Sequence, residues 1–176
     1  SEMCIRDRGH DERLRLVHLG VQHVVADALA AQQIGNDLRV LHRSRADEDG
    51  PARLVDALYA TQAISDREAF RKAVYDRESV MSTGIGQGVA IPHVRIEGVL
   101  KPAISLGISR KGLDFDTLDN QLVHAIVLFA MPAGSQKEYL GLLAQVMTAL
   151  KQPGFLERLV NCDTPEEVED MLAEAS

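Results

Sequence analysis

The chain has 176 residues, 45% of them hydrophobic but only 4% aromatic and none tryptophan, so one domain with a mainly aliphatic core is expected. The net charge of −7 is shared between −2 in the first fifty residues and −5 in the rest, which leaves no basic stripe and excludes a broad nucleic-acid surface. No apolar run approaches the ~20 residues of a membrane span, and Cys4 and Cys162 form no Cys-x-x-Cys pair, so membrane insertion, a disulfide framework and a zinc ribbon are set aside. Arginines and acids interrupt every apolar run near the start, so no secretory signal is read there and a cytoplasmic protein is expected.

Residues 1–10 lack an initiating methionine and resemble translated sequencing-adapter read-through, and are expected to be a non-native artefact. From 14 to 31, Leu14, Val17, Val21, Val24, Val25 and Ala28 recur at helical spacing. A short edge strand is read at 38–41, and a polar break at 43–51. Residues 11–45 are therefore expected as a helical segment and linker, and 46–176 as the main domain, with its start placed either at 46 or near Leu38.

Pro51 suits a first helical position and opens a helix through Leu54, Val55, Leu58 and Tyr59. Ser65-Asp66-Arg67-Glu68 reads as a capping box, starting a helix that runs to about Ser79. The device recurs in Ser135-Gln136-Lys137-Glu138, before Leu140, Leu143, Ala144 and Met147, and in Thr164-Pro165-Glu166-Glu167, before Val168, Met171 and Leu172. Strand-like runs lie between the helices at Val89-Ala90-Ile91, 103–109 and 123–131, the last apolar enough to be buried on both faces. Lys111-Gly112 and Asp119-Asn120 supply turn chemistry. This order predicts an α/β fold, a central mixed sheet flanked by helices.

The chemistry centres on His93, which follows the glycine-rich run Ser82-Thr83-Gly84-Ile85-Gly86-Gln87-Gly88 and the apolar Val89-Ala90-Ile91-Pro92. An imidazole can attack phosphorus near neutral pH and release the group again. One ring nitrogen must be held as N–H while the other attacks; the residues leave open which. The incoming group carries roughly two negative charges. The N–H groups of Gly84, Gly86 and Gly88 and the hydroxyls of Ser82 and Thr83 are expected to cradle it, with Arg77 or Arg95 as the fixed cation. Pro92 restrains the backbone before the imidazole.

These residues resemble the fructose/mannitol/nitrogen-type IIA domain of the bacterial phosphoenolpyruvate-dependent phosphotransferase system. The resemblance rests on Arg77-Glu78, on the run from Ser82 to His93, on Asp114-Phe115-Asp116 with Asp119-Asn120-Gln121, and on Pro132 with the helix from Glu138. It implies a phosphohistidine carrier with His93 as acceptor and Arg77 in support. The donor would be a histidine-containing phosphocarrier protein. The acceptor would be a IIB domain in sugar uptake or, in a nitrogen-type reading, a regulated target protein. No cofactor is implied. Many relatives carry a second histidine where this chain has Tyr139; a phenol donates a hydrogen bond but carries no positive charge.

Other readings are weaker. The glycine run lacks the Gly-Lys-Ser/Thr ending of a P-loop and enters a strand where a dinucleotide fingerprint would leave one. Ser82 has no Gly-x-Ser-x-Gly elbow. Asp114, Asp116 and Asp119 fit a turn leaving a strand, so no metal is expected, and His124 is read as structural.

Overall fold

A computed structural model describes residues 15–20, 50–115 and 117–174. The sheet is built around the apolar run of residues 123–131, which forms β6 (Val123–Pro132). Its alternating side chains enter two cores. Ala125, Val127, Phe129 and Met131 pack on one side, and Ile126, Leu128 and Ala130 on the other. Each fully buried large aliphatic or aromatic side chain contributes about 1.5–3 kcal/mol, so a strand apolar on both faces demands a helical layer on each.

One layer holds α1 (Gly50–Ala60) and α2 (Arg67–Val80). The other holds α3 (Gln136–Leu150), α4 (Phe155–Asn161) and α5 (Pro165–Glu174). Leu54, Leu58, Phe70 and Val74 fill the first core, and Tyr139, Leu142, Phe155, Leu159, Val168 and Met171 fill the second. The three layers are the α/β architecture expected from the sequence.

Along one flank, β6 pairs antiparallel with β5 (Ala103–Leu113), and β5 in turn with β1 (Arg15–Gly20), Arg15 opposite Ile108. The strand β1 overturns the helix read over the first part of 14–31. Leu16-Val17-His18-Leu19 is too short for periodicity to separate the two states. Pairing also closes a row of β5 backbone groups that would otherwise stand open, which outweighs a weak helical stripe. The rest of that reading, the edge strand at 38–41 and the artefact at 1–10 fall outside the described residues. Lys111-Gly112, read as a turn between strands, instead lies within β5, where the register against β6 shifts between Ile108 and Leu113 and Gly112 takes φ +82°.

Along the other flank, two short parallel strands share β6. The strand β3 (Val89–Ala90) pairs with Ala125 and Ile126, and β4 (His93–Ile96) pairs His93 with Phe129. The interruption falls at Ile91-Pro92, where proline has no N–H to give; the Pro92 carbonyl still accepts from Phe129 N at 2.9 Å. Antiparallel to β3 runs β2 (Gly84–Gly86), joined to it by Gln87-Gly88, both with positive φ.

The helix starts differ in detail from their sequence signatures. In α2 the cap is Asp66, whose Oδ1 accepts from Ala69 N at 2.9 Å, while Ser65 donates to the Gly98 carbonyl. In α3 the Ser135 hydroxyl turns back to Pro132 O and caps nothing. At α5 the box closes: Glu167 N donates to Thr164 Oγ1 at 3.2 Å, and Glu167 Oε2 accepts from Asp163 N and Thr164 N.

Candidate functional site

His93 opens β4 and Arg95 follows two residues later, so strand alternation sets both on one face while Val94 enters the opposite core. That face meets the first turn of α3. The imidazole stacks on Tyr139 with ring centroids 5.2 Å apart and 23° between planes. Phe129, the cross-strand neighbour of His93, meets the Tyr139 ring edge-on at 5.7 Å and 90°. The Arg95 guanidinium carbon lies 5.5 Å from the Tyr139 centroid. Such aromatic and cation–π contacts are each worth about 0.5–1.5 kcal/mol. A buried phenol thus sets the plane of the histidine.

The tautomer follows from one contact. His93 Nδ1 lies 3.2 Å from the carbonyl oxygen of Ile91, which can only accept, so Nδ1 carries the proton and Nε2 the lone pair. The His93 pKa lies below the usual histidine value, chiefly because burial penalises the charged ring; the Ile91 hydrogen bond opposes this, and the charges of Arg77 and Arg95 reinforce it. A neutral imidazole beside two guanidinium groups has the chemistry to act as a nucleophile towards an anionic centre. Among the described residues Arg95 pairs with no carboxylate, and Arg77, in the last turn of α2, donates to the Met81 carbonyl at 3.0 Å.

Of the donors expected to form the cradle, the hydroxyls of Ser82 and Thr83 and the N–H of Gly84 are engaged elsewhere. Ser82 Oγ donates to Phe115 O at 3.2 Å and accepts from Gly84 N at 3.1 Å. Thr83 gives its hydroxyl to Glu78 Oε1 and its N–H to Glu78 Oε2 at 3.0 Å. Gly88 lies five residues back along the extended edge, roughly 15 Å from His93, and its carbonyl accepts from His124 N and Ala125 N. The glycines serve close approach. A Cβ on Gly84 would come 2.7 Å from Thr117 Cγ2, and one on Gly86 2.8 Å from Asp119 Oδ2. Asp119 accepts from Gln87 N at 2.8 Å and Gln121 N at 3.1 Å, clamping the hairpin turn. The structure therefore brings together His93, Arg77, Arg95 and Tyr139, and gives Gly84, Gly86 and Gly88 to packing. His124 Nδ1 donates to the Ser109 carbonyl at 3.0 Å.

Sequence reading passed over Phe129 and gave no role to Glu78. A carboxylate in the last turn of a helix opposes the helix dipole, and that mismatch was the available signal for Glu78. It is 6% exposed and its pKa is raised, mainly by burial, against the lowering effect of its two Thr83 hydrogen bonds and of Arg77.

Residues 47–175 match the family model described as the phosphoenolpyruvate-dependent sugar phosphotransferase system, EIIA 2. A fructose-specific EIIABC component of Bacillus subtilis is 33% identical over 119 residues, covering 68% of this chain; the match spans about a fifth (19%) of that longer protein. A nitrogen regulatory protein of Klebsiella oxytoca is 30% identical over 123 residues, covering 69% of this chain and 76% of the relative. Among solved structures, the nitrogen regulatory protein IIA-Ntr of Neisseria meningitidis superposes with a TM-score of 0.63 at 27% identity, over 72% of this chain and 89% of that one. The mannitol IIA protein of Escherichia coli, solved in complex with phosphorylated mannitol IIB, shares the fold at a TM-score of 0.61 and 20% identity, over 74% and 90% of the two chains.

Proposed function

Since the chain belongs to the EIIA type-2 family of the phosphoenolpyruvate-dependent phosphotransferase system, we propose that it carries a phosphoryl group on Nε2 of His93. The lone pair of Nε2 forms the new N–P bond as the N–P bond to the donor histidine of a phosphocarrier protein breaks, and the proton on Nδ1 stays hydrogen-bonded to Ile91 O. Arg77 and Arg95 balance the charge of the transferred group, and the Tyr139 hydroxyl, with no hydrogen bond among the described residues, donates to it. The single observation behind this reading is the Nδ1 contact with Ile91, which leaves the other nitrogen free to attack.

Onward transfer goes to a IIB domain in the service of sugar uptake; the fructose-specific relative and the fold shared with mannitol IIA support this. A second reading is a regulatory carrier whose phosphorylation state governs a target protein, supported by the likeness to nitrogen regulatory proteins at a similar level of identity. Neighbouring genes separate the two: a permease operon favours transport, a nitrogen-sigma-factor neighbourhood favours regulation. Incubation with phosphoenolpyruvate, enzyme I and the phosphocarrier should add one acid-labile phosphate, found by mass spectrometry and absent in His93→Ala. A protein that stays unlabelled contradicts the proposal.

A further inference from the structure

A buried carboxylate is costly, and Glu78 is held where its helix offers it nothing. Its two oxygens grip one residue, Thr83, through the main-chain N–H and the hydroxyl. The chain leaves α2 at Val80, passes through the extended Met81, and is turned back by this grip. Arg77, the preceding residue, holds the Met81 carbonyl of the same segment. Thr83 is thereby set against the interruption between β3 and β4, where its carbonyl accepts from Ile91 N at 3.0 Å. The carbonyl of Ile91 is in turn the acceptor for His93 Nδ1. A continuous set of contacts thus runs from Glu78 through Thr83 and Ile91 to the imidazole.

The N–H and C=O groups of Thr83 belong to different peptide units, as do those of Ile91. The connection is therefore mechanical: it fixes where the Ile91 carbonyl stands, and polarisation along the chain of bonds plays little part. Pro92 makes that placement matter more. It donates no hydrogen bond, so among the described residues the main-chain bonds that anchor the Ile91-Pro92 step are those of the Ile91 N–H and the Pro92 carbonyl.

We propose that Glu78 is a positioning residue for phosphoryl transfer, holding Thr83 so that the Ile91 carbonyl stays under Nδ1 of His93 and Nε2 remains the attacking nitrogen. This deepens the phosphocarrier reading and rests on it. The requirement is a bidentate acceptor for one N–H and one hydroxyl. Glutamine offers one acceptor oxygen, and valine at Thr83 removes only the hydroxyl.

The test compares the parent protein with Glu78→Gln, Thr83→Val and Thr83→Ser, each with folding checked by circular dichroism. The first readout is the imidazole ¹⁵N spectrum of unphosphorylated His93, which needs no phosphotransfer partner. The parent should show the Nδ1–H tautomer almost alone, Glu78→Gln and Thr83→Val a measurable share of Nε2–H, and Thr83→Ser the parent pattern. The second readout is transfer from the phosphorylated carrier. Glu78→Gln should slow the maximal rate on the order of 10- to 100-fold, as misplacement of a reacting group does, with little change in the carrier concentration at half-maximal rate. Thr83→Val should slow it in the same way, and Thr83→Ser, which keeps the hydroxyl that Glu78 accepts, should transfer at the parent rate. A folded Glu78→Gln with parental tautomer and rate overturns the proposal. Should Glu78→Gln fail to fold, Thr83→Val decides on the same two readouts. A parent protein that shows the expected tautomer yet takes no phosphate contradicts the phosphocarrier reading and leaves the positioning result to stand or fall on the spectrum.

Discussion

At the scale of single residues, the imidazole has neighbours of fixed charge. A histidine in place of Tyr139 would be a neighbour whose charge changes near neutral pH. Here Tyr139 stacks on His93 and Arg95 lies over Tyr139, so the positive charge near the imidazole is permanent. The depressed pKa of His93 keeps the ring neutral until the pH falls below the ordinary histidine value. The transfer rate of the parent should therefore be flat from pH 8 to 6.5 and decline only at more acid pH. Tyr139→His should introduce an inflection within pH 6–8, and identical profiles for the two proteins would remove Tyr139 from the account. The same shift bears on stability. An unfolded chain protonates His93 at a higher pH than the folded one, so His93 lowers stability as the pH falls through the ordinary histidine range. Glu78 acts in the other direction: its raised pKa means that its contribution declines as the pH rises from 4.5 through the folded value. Arg95→Ala should slow transfer by about 10²-fold, the typical effect of losing one transition-state donor, measured as initial rates with saturating phosphocarrier.

At the scale of elements, the glycine run shows how a motif read along the chain can hide the contacts that its residues make in the fold. The run does lead to His93, as its position before Ile91-Pro92 suggests, but its glycines admit Thr117 and Asp119 where the loop after β5 presses on the hairpin. A motif read in one dimension cannot reveal a loop that returns thirty residues later. Gly86→Ala should cost about 1–2 kcal/mol for the left-handed conformation alone, with more from the crowding against Asp119. Gly134→Ala, at φ +87° with open space around it, isolates the conformational part. Urea denaturation of both should find Gly86→Ala the less stable, and equal losses would deny Asp119 its role as a clamp. Capping boxes were legible in the same partial way. Only Thr164 makes the expected bonds, so Thr164→Ala should lose about 1 kcal/mol, while Ser135→Ala should leave the start of α3 nearly unaffected.

At the scale of the whole molecule, the layering was legible because β6 is apolar on both faces, and such a strand has few ways to be covered. The short strands β2 and β4 were not, since three or four residues carry too little pattern. The strand β1 was read as helix because its identity depends on pairing with β5 rather than on its own composition. Deleting residues 1–20, and with them β1, should therefore lower the thermal midpoint and favour association through the opened β5 edge. No helix among the described residues is long and apolar enough to cross a membrane. The sheet joins these layers to the chemistry, since β6 fixes Phe129 beside His93 and the face of β4 that bears His93 and Arg95 meets α3.

The most direct measurement is ³¹P–¹⁵N correlation spectroscopy on protein labelled with ¹⁵N-histidine and phosphorylated through the complete donor chain. A single N–P correlation to Nε2 of His93 is the predicted result. A correlation to Nδ1, or to another histidine, contradicts the account.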